Sequence, residues 1–123
     1  MNRQALEILQ EMCVYREAAG NKLEGKDWGR NEYGDVAVAC LAGWATLEPG
    51  LRELGLRSLN DHWRYREDRG ILRPFFEGSV GYTALGKLFD LGFKQRAYLF
   101  AQSGGSSWSD ARERIQNVLK GEI

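Results

Sequence analysis

Histidine, proline and cysteine are all scarce in this chain. Its 123 residues hold one His, two Pro and two Cys. Two cysteines cannot build a disulfide-dense scaffold. A structural zinc site wants four Cys/His ligands in close pairs, and Cys13 and Cys40 stand 27 positions apart. No metal and no cofactor is expected on that ground. Net charge is lacking too: 17 basic and 17 acidic side chains balance. A protein built mainly to hold nucleic acid needs a surplus of Lys and Arg. Long apolar runs are missing as well. The longest uncharged stretch, Val36 to Leu47, falls short of the ~20 residues that span a bilayer. The first residues carry no apolar signal-peptide core. These absences point to a cytoplasmic domain without membrane association.

What is present is ordinary globular composition, 43% apolar and 28% charged. That argues against disorder and for a single domain over residues 1–123 with one core. The segment patterns read as helical. Residues 3–19 place Leu6, Leu9 and Cys13 on one face, with Ile8, Met12, Tyr15 and Ala19 widening the stripe. Residues 20–34 are a polar, Gly-rich connection that Trp28 should anchor. Residues 35–47 are apolar nearly all round and predict a buried central helix with Asp35 as N-cap. A buried strand competes over Val36 to Leu41. Pro49 opens a short helix ending at Gly55. Ser58 is expected to cap a helix running through Leu59, Trp63 and Arg66 that Gly70 breaks. Pro74 to Glu77 reads as a single turn. Helices follow over 82–91, with Gly92 as its stop, and over 94–101. Ser103 to Ser106 is a linker, and Ser107 with Asp110 begins a last helix over 108–120. The expectation is therefore an all-α bundle of five to six short helices around residues 35–47.

Chemistry-bearing patterns are few. There is no Walker motif and no strand–GxGxxG–helix signature. Cys40 and His62, with Asp61 or Asp68 as orienter, could be imagined as a nucleophile–base pair. Against this, cysteine behaves most often as a small buried hydrophobe, and Cys40 is expected one turn inside its helix. The segment 52–73 holds six basic and four acidic residues, the only basic enrichment. Within it Trp63, Arg64, Tyr65, Arg66, Arg69 and Arg73 interleave aromatics with cations. Such a set suits a protein–protein hot spot, or bases stacked on rings with guanidinium groups on phosphates. The bland alternative packs Trp63 inward and solvates the arginines. Trp28, Trp44 and Trp108 are expected in the core and Trp63 outside it.

The stretch Cys40-Leu41-Ala42-Gly43-Trp44-Ala45 resembles a family of small, uncharacterised phage and bacterial proteins with a segment C-G-T-A-A-C-I-A-G-W-A. Ala84 to Phe93, Ala97 to Phe100 and Ala111 to Leu119 are similar to further pieces of that family. Its first cysteine falls at Asp35 here, and residues 49–81 look like an insertion. The resemblance implies a virus or mobile-element origin. With it comes an inhibitor or modulator of a host protein, such as a defence nuclease, rather than an enzyme. Direct nucleic-acid binding through 62–73 and Cys40/His62 catalysis stand as alternatives. A homodimer is a further option, since four tryptophans in a small domain can leave an apolar patch to cover.

Overall fold

A computed structural model describes residues 1–25, 27–31, 36, 38–58, 70–101 and 107–123. Among them are six helices and five short strands. The helices are α1 (Arg3–Ala18), α2 (Leu41–Ala45), α3 (Pro49–Glu53), α4 (Tyr82–Phe89), α5 (Phe93–Phe100) and α6 (Trp108–Leu119). The strands are β1 (Lys22–Leu23), β2 (Val38–Ala39), β3 (Arg57–Ser58), β4 (Pro74–Phe76) and β5 (Ser79–Val80). The all-α expectation is thereby corrected: the fold is mixed, with a parallel β1–β2 pair and an antiparallel β3–β4–β5 sheet.

Local sequence explains α1 and α6 well. Asn2 caps α1 by accepting the Ala5 N–H, and Ser107 caps α6 by accepting the Asp110 N–H. The buried face of α1 is Ala5, Leu6, Leu9, Met12 and Cys13; that of α6 is Trp108, Ala111, Ile115, Val118 and Leu119. The two helices pack on each other, and α1 also touches α3 and α4. Pro49 begins α3 at its first turn, with Leu51 buried.

The central helix over 35–47 is the main correction. Val38 and Ala39 are extended and pair with Lys22 and Leu23, and the helix starts only at Leu41 with Cys40 as N-cap. Asp35 lies outside the described residues. An apolar run with no polar face carries no periodicity, so a neighbouring strand decides its conformation. Here the chain after α1 supplies that strand.

The expected turn at Pro74 to Glu77 is a hairpin instead. Phe75 pairs with Val80 and Phe76 with Ser79, leaving the two-residue loop Glu77-Gly78. Both loop residues have positive φ, 48° and 80°, as a twist-matched two-residue turn demands. Ser58, expected to cap a helix, is a buried strand residue paired with Pro74. The helix that it was to cap falls in 59–69, outside the described residues, as does the linker at 103–106. Helix α4 stops at Asp90 in a left-handed conformation, and Gly92 instead precedes α5 as its N-cap. Leu51, Leu56, Leu72 and Phe76, all within 49–81, belong to the same apolar core as α1 and α6.

A candidate ligand recess beside Cys40

The motif around Cys40 now has a physical account. Cys40 is 6% exposed and its Sγ accepts the Gly43 N–H at 3.4 Å. Gly43 has no side chain because the Trp28 carbonyl oxygen lies where a Cβ would be. Trp44 is buried, and its indole Nε1 donates to the Lys22 carbonyl at 2.8 Å. Trp108 does the same for the adjacent Asn21 carbonyl at 2.8 Å. Two indoles thus satisfy successive carbonyls in the chain leaving α1, which orients β1 for its pairing with β2.

This arrangement builds a recess of about 180 Å³ between the loop before β2 and helix α4. Gly25, Asp27, Trp28, Cys40, Tyr82 and Phe100 line it. The Trp28 and Tyr82 rings meet at 5.5 Å with an interplanar angle of 51°. The Tyr82 hydroxyl donates to the Phe100 carbonyl at 3.2 Å, which fixes that ring against α5. The Cys40 N–H donates to the Asp27 carbonyl at 2.9 Å, and the Asp27 carboxylate accepts the Gly29 N–H at 3.4 Å. Burial pushes the Cys40 thiol upward, a rise that the Asp27 charge reinforces and the Gly43 N–H opposes. Burial also pushes the Tyr82 hydroxyl up, with the neighbouring Cys40 adding to it. A raised thiol is a neutral thiol, the reverse of what a nucleophilic cysteine needs. Cys40 was expected one turn inside a helix. It sits at the N-cap instead, and desolvation outweighs the helix terminus.

A second feature is the outward face of α1. Val14 and Tyr15 are 52% and 64% exposed. One cleft beside them, between α1 and α6, is lined by Glu7, Gln10, Glu11, Val14 and Leu119 among others. A second, of about 420 Å³, is lined by Glu11, Met12, Tyr15, Leu47, Glu48 and Pro49, with Arg16 between. The Arg16 guanidinium lies over both Tyr15 and Trp44, at 5.5 and 4.7 Å. Tyr15 and Ala19, expected in the buried stripe, are exposed. The spacing contains that correction: at about 100° per residue, Tyr15 stands half a turn round from Leu6.

Of the contact residues expected from sequence, Trp63, Arg64, Tyr65, Arg66 and Arg69 lie outside the described residues, as do His62, Asp61 and Asp68. Arg73 is described and half-buried, immediately before β4. The end of that segment is tied to the Trp28 loop: the Asn31 N–H donates to the Gly70 carbonyl and the Leu72 N–H to the Gly29 carbonyl. Trp44 and Trp108 are in the core as expected, while Trp28 is only partly buried at its edge. Sequence reasoning passed over Asp27 and Tyr82, which meet only through the fold. Among the described residues, no three His, Cys, Asp or Glu side chains gather to hold a metal ion, and no helix is long and apolar enough to cross a membrane.

No protein-family model matches the chain, and no curated protein and no solved structure does.

Proposed function

We propose that this chain is a non-enzymatic binding protein that acts on a protein partner. The observation that carries the reading is the outward face of α1. Val14 and Tyr15 stand next to each other and exposed, with clefts on both sides and Glu7 and Glu11 along the same face. Exposed aromatic and aliphatic side chains rimmed by charge are what protein interfaces use as anchors. Arg3, Arg16 and Lys120 line the same clefts as Glu7, Glu11 and Glu48, so the apolar pair is rimmed by charge of both signs.

Further support comes from Cys40. Its sulfur caps α2 and its thiol is held neutral, so this nucleophile beside the recess is occupied by a structural task. The resemblance of Cys40 to Ala45 to a family of small phage and bacterial proteins supports an inhibitor or modulator of a host protein as the role. Two buried, unpaired thiols suit the cytoplasm. Residues 62–73 stay in the reading as a second contact region, through Trp63, Arg64, Tyr65, Arg66, Arg69 and Arg73.

The test is affinity capture from a prokaryotic host lysate with nuclease treatment, comparing the wild-type chain with Val14→Arg/Tyr15→Ala. A protein retained by the wild type and lost by the variant, at unchanged thermal midpoint, supports the reading. Retention by the variant moves the contact to residues 62–73, where Trp63→Ala/Arg66→Ala then decides. A catch that disappears on nuclease treatment, or whose affinity falls steeply with salt, replaces it with nucleic-acid binding.

A further inference from the structure

We infer that the recess between Trp28, Tyr82, Phe100 and Asp27 is a binding site for an alkylammonium cation. The inference is independent of the α1 face. It rests on the ring arrangement, the charge and the size of the recess itself.

Two aromatic rings, Trp28 and Tyr82, meet at 5.5 Å and a 51° tilt, so they form a corner rather than a stack. Phe100, nearly buried, closes a further side. Electron-rich ring faces turned toward one point attract a cation, and several such faces form the cages that hold quaternary ammonium and methylated lysine groups. The corner is rigid on one wall, because the Tyr82 hydroxyl is tied to the Phe100 carbonyl.

The charge around the recess has the matching sign. The exposed Asp27 carboxylate lies on its solvent side, and among the described residues no lysine or arginine lines it. The remaining polar group, the Cys40 thiol, is kept neutral by its burial and by Asp27. A cation entering here meets a carboxylate and rings.

Size then selects the ligand. A volume of about 180 Å³ is below the ~300–1,000 Å³ of a pocket for a drug-sized molecule. It suits a trimethylammonium headgroup or the tip of a methylated lysine. An apolar ligand of equal size gains nothing from Asp27, and an anion is opposed by it.

The experiment follows the Trp28 indole Nε1–H resonance, assigned with Trp28→Phe, during titration of the full chain. The probes are choline and dimethylbutanol, its uncharged carbon isostere. Choline is expected to shift the resonance saturably while the isostere does not. Asp27→Asn and Tyr82→Leu should each weaken choline binding about tenfold, the size of one favourable charge contact, while Tyr82→Phe, which keeps the ring and loses only its tie, should weaken it less. A peptide carrying trimethyllysine separates the two sources of this chemistry. Saturation by the peptide but not by free choline assigns the cation to a protein side chain; saturation by choline alone, or by both with equal affinity, assigns it to a small molecule. Equal shifts with choline and its isostere overturn the inference. So do the absence of saturation with choline and the peptide alike, and choline affinity unchanged in both Asp27→Asn and Tyr82→Leu.

Discussion

Trp44 and Trp108 meet with ring centroids 6.3 Å apart, Trp28 and Tyr82 at 5.5 Å, and both pairs are tilted by 51°. Their surroundings differ. Trp44 and Trp108 are buried, and both indole N–H groups are consumed by the carbonyls of Lys22 and Asn21. Tyr82 is 44% exposed, and its pair with Trp28 opens onto a recess. The first pair fixes where the chain goes after α1. The second leaves ring faces for something else to touch. An aromatic pair is therefore assigned by what its polar handles bind and by which faces remain open, not by ring geometry.

The comparison breaks most severely at Trp44. Trp44→Ala should cost about 3–5 kcal/mol, the range for emptying a large aromatic site in a core, and should also orphan the Lys22 carbonyl. Urea unfolding measures it. A cost below about 1 kcal/mol would mean that the Trp44–Trp108 pair does not hold the β1–β2 region. Gly43→Ala ranks next, at about 1–3 kcal/mol, because the added Cβ collides with the Trp28 backbone. Here the loss should be accompanied by displacement of Trp28, seen as altered fluorescence. Tyr82→Leu sharpens the contrast from the other side. It should cost only about 1 kcal/mol, the size of one aromatic pair contact, while weakening the cation response about tenfold.

Smaller effects concern the two thiols. Burial lifts Cys13 from its ordinary 9.0 to about 12. Above pH 9 the unfolded chain releases this proton while the folded chain keeps it, so stability falls as pH rises from about 9 toward 12. Cys13→Ala should flatten that part of the alkaline stability profile, measured by urea midpoints at stepped pH. Reactivity orders the two residues further. Cys13 is fully buried and Cys40 is 6% exposed beside the recess. A thiol reagent at neutral pH should label Cys40 slowly and Cys13 only on unfolding. Rapid labelling of Cys40 would revive catalysis through Cys40 and His62.

Legibility in the sequence followed locality. The Ser107–Asp110 cap, Pro49 at the start of α3 and the Leu85, Leu88 and Phe89 face of α4 were all readable, since each depends on neighbours within about one turn. Tyr15 was readable and misplaced, because the stripe on α1 was drawn too wide. The Glu77-Gly78 hairpin left a fainter sign, a Gly at the second of two loop positions. The recess left none: Asp27, Cys40, Tyr82 and Phe100 are spread over most of the chain and meet only when β1 pairs with β2 and α4 packs beneath.

By itself, then, the sequence determined the elements stabilised from within, α1, α3, α4 and α6, together with the Ser107 cap of α6 and the buried face of α4. Tertiary structure alone decided the fate of residues 38–47. An apolar run with no polar face has nothing to set a period, so its backbone follows whichever partner offers hydrogen bonds. Lys22 and Leu23 offer them to Val38 and Ala39, and the helix is left to begin at Leu41. That displacement puts Cys40 at a helix cap rather than inside a helix, and with it the wall of the recess that Trp28 and Tyr82 complete.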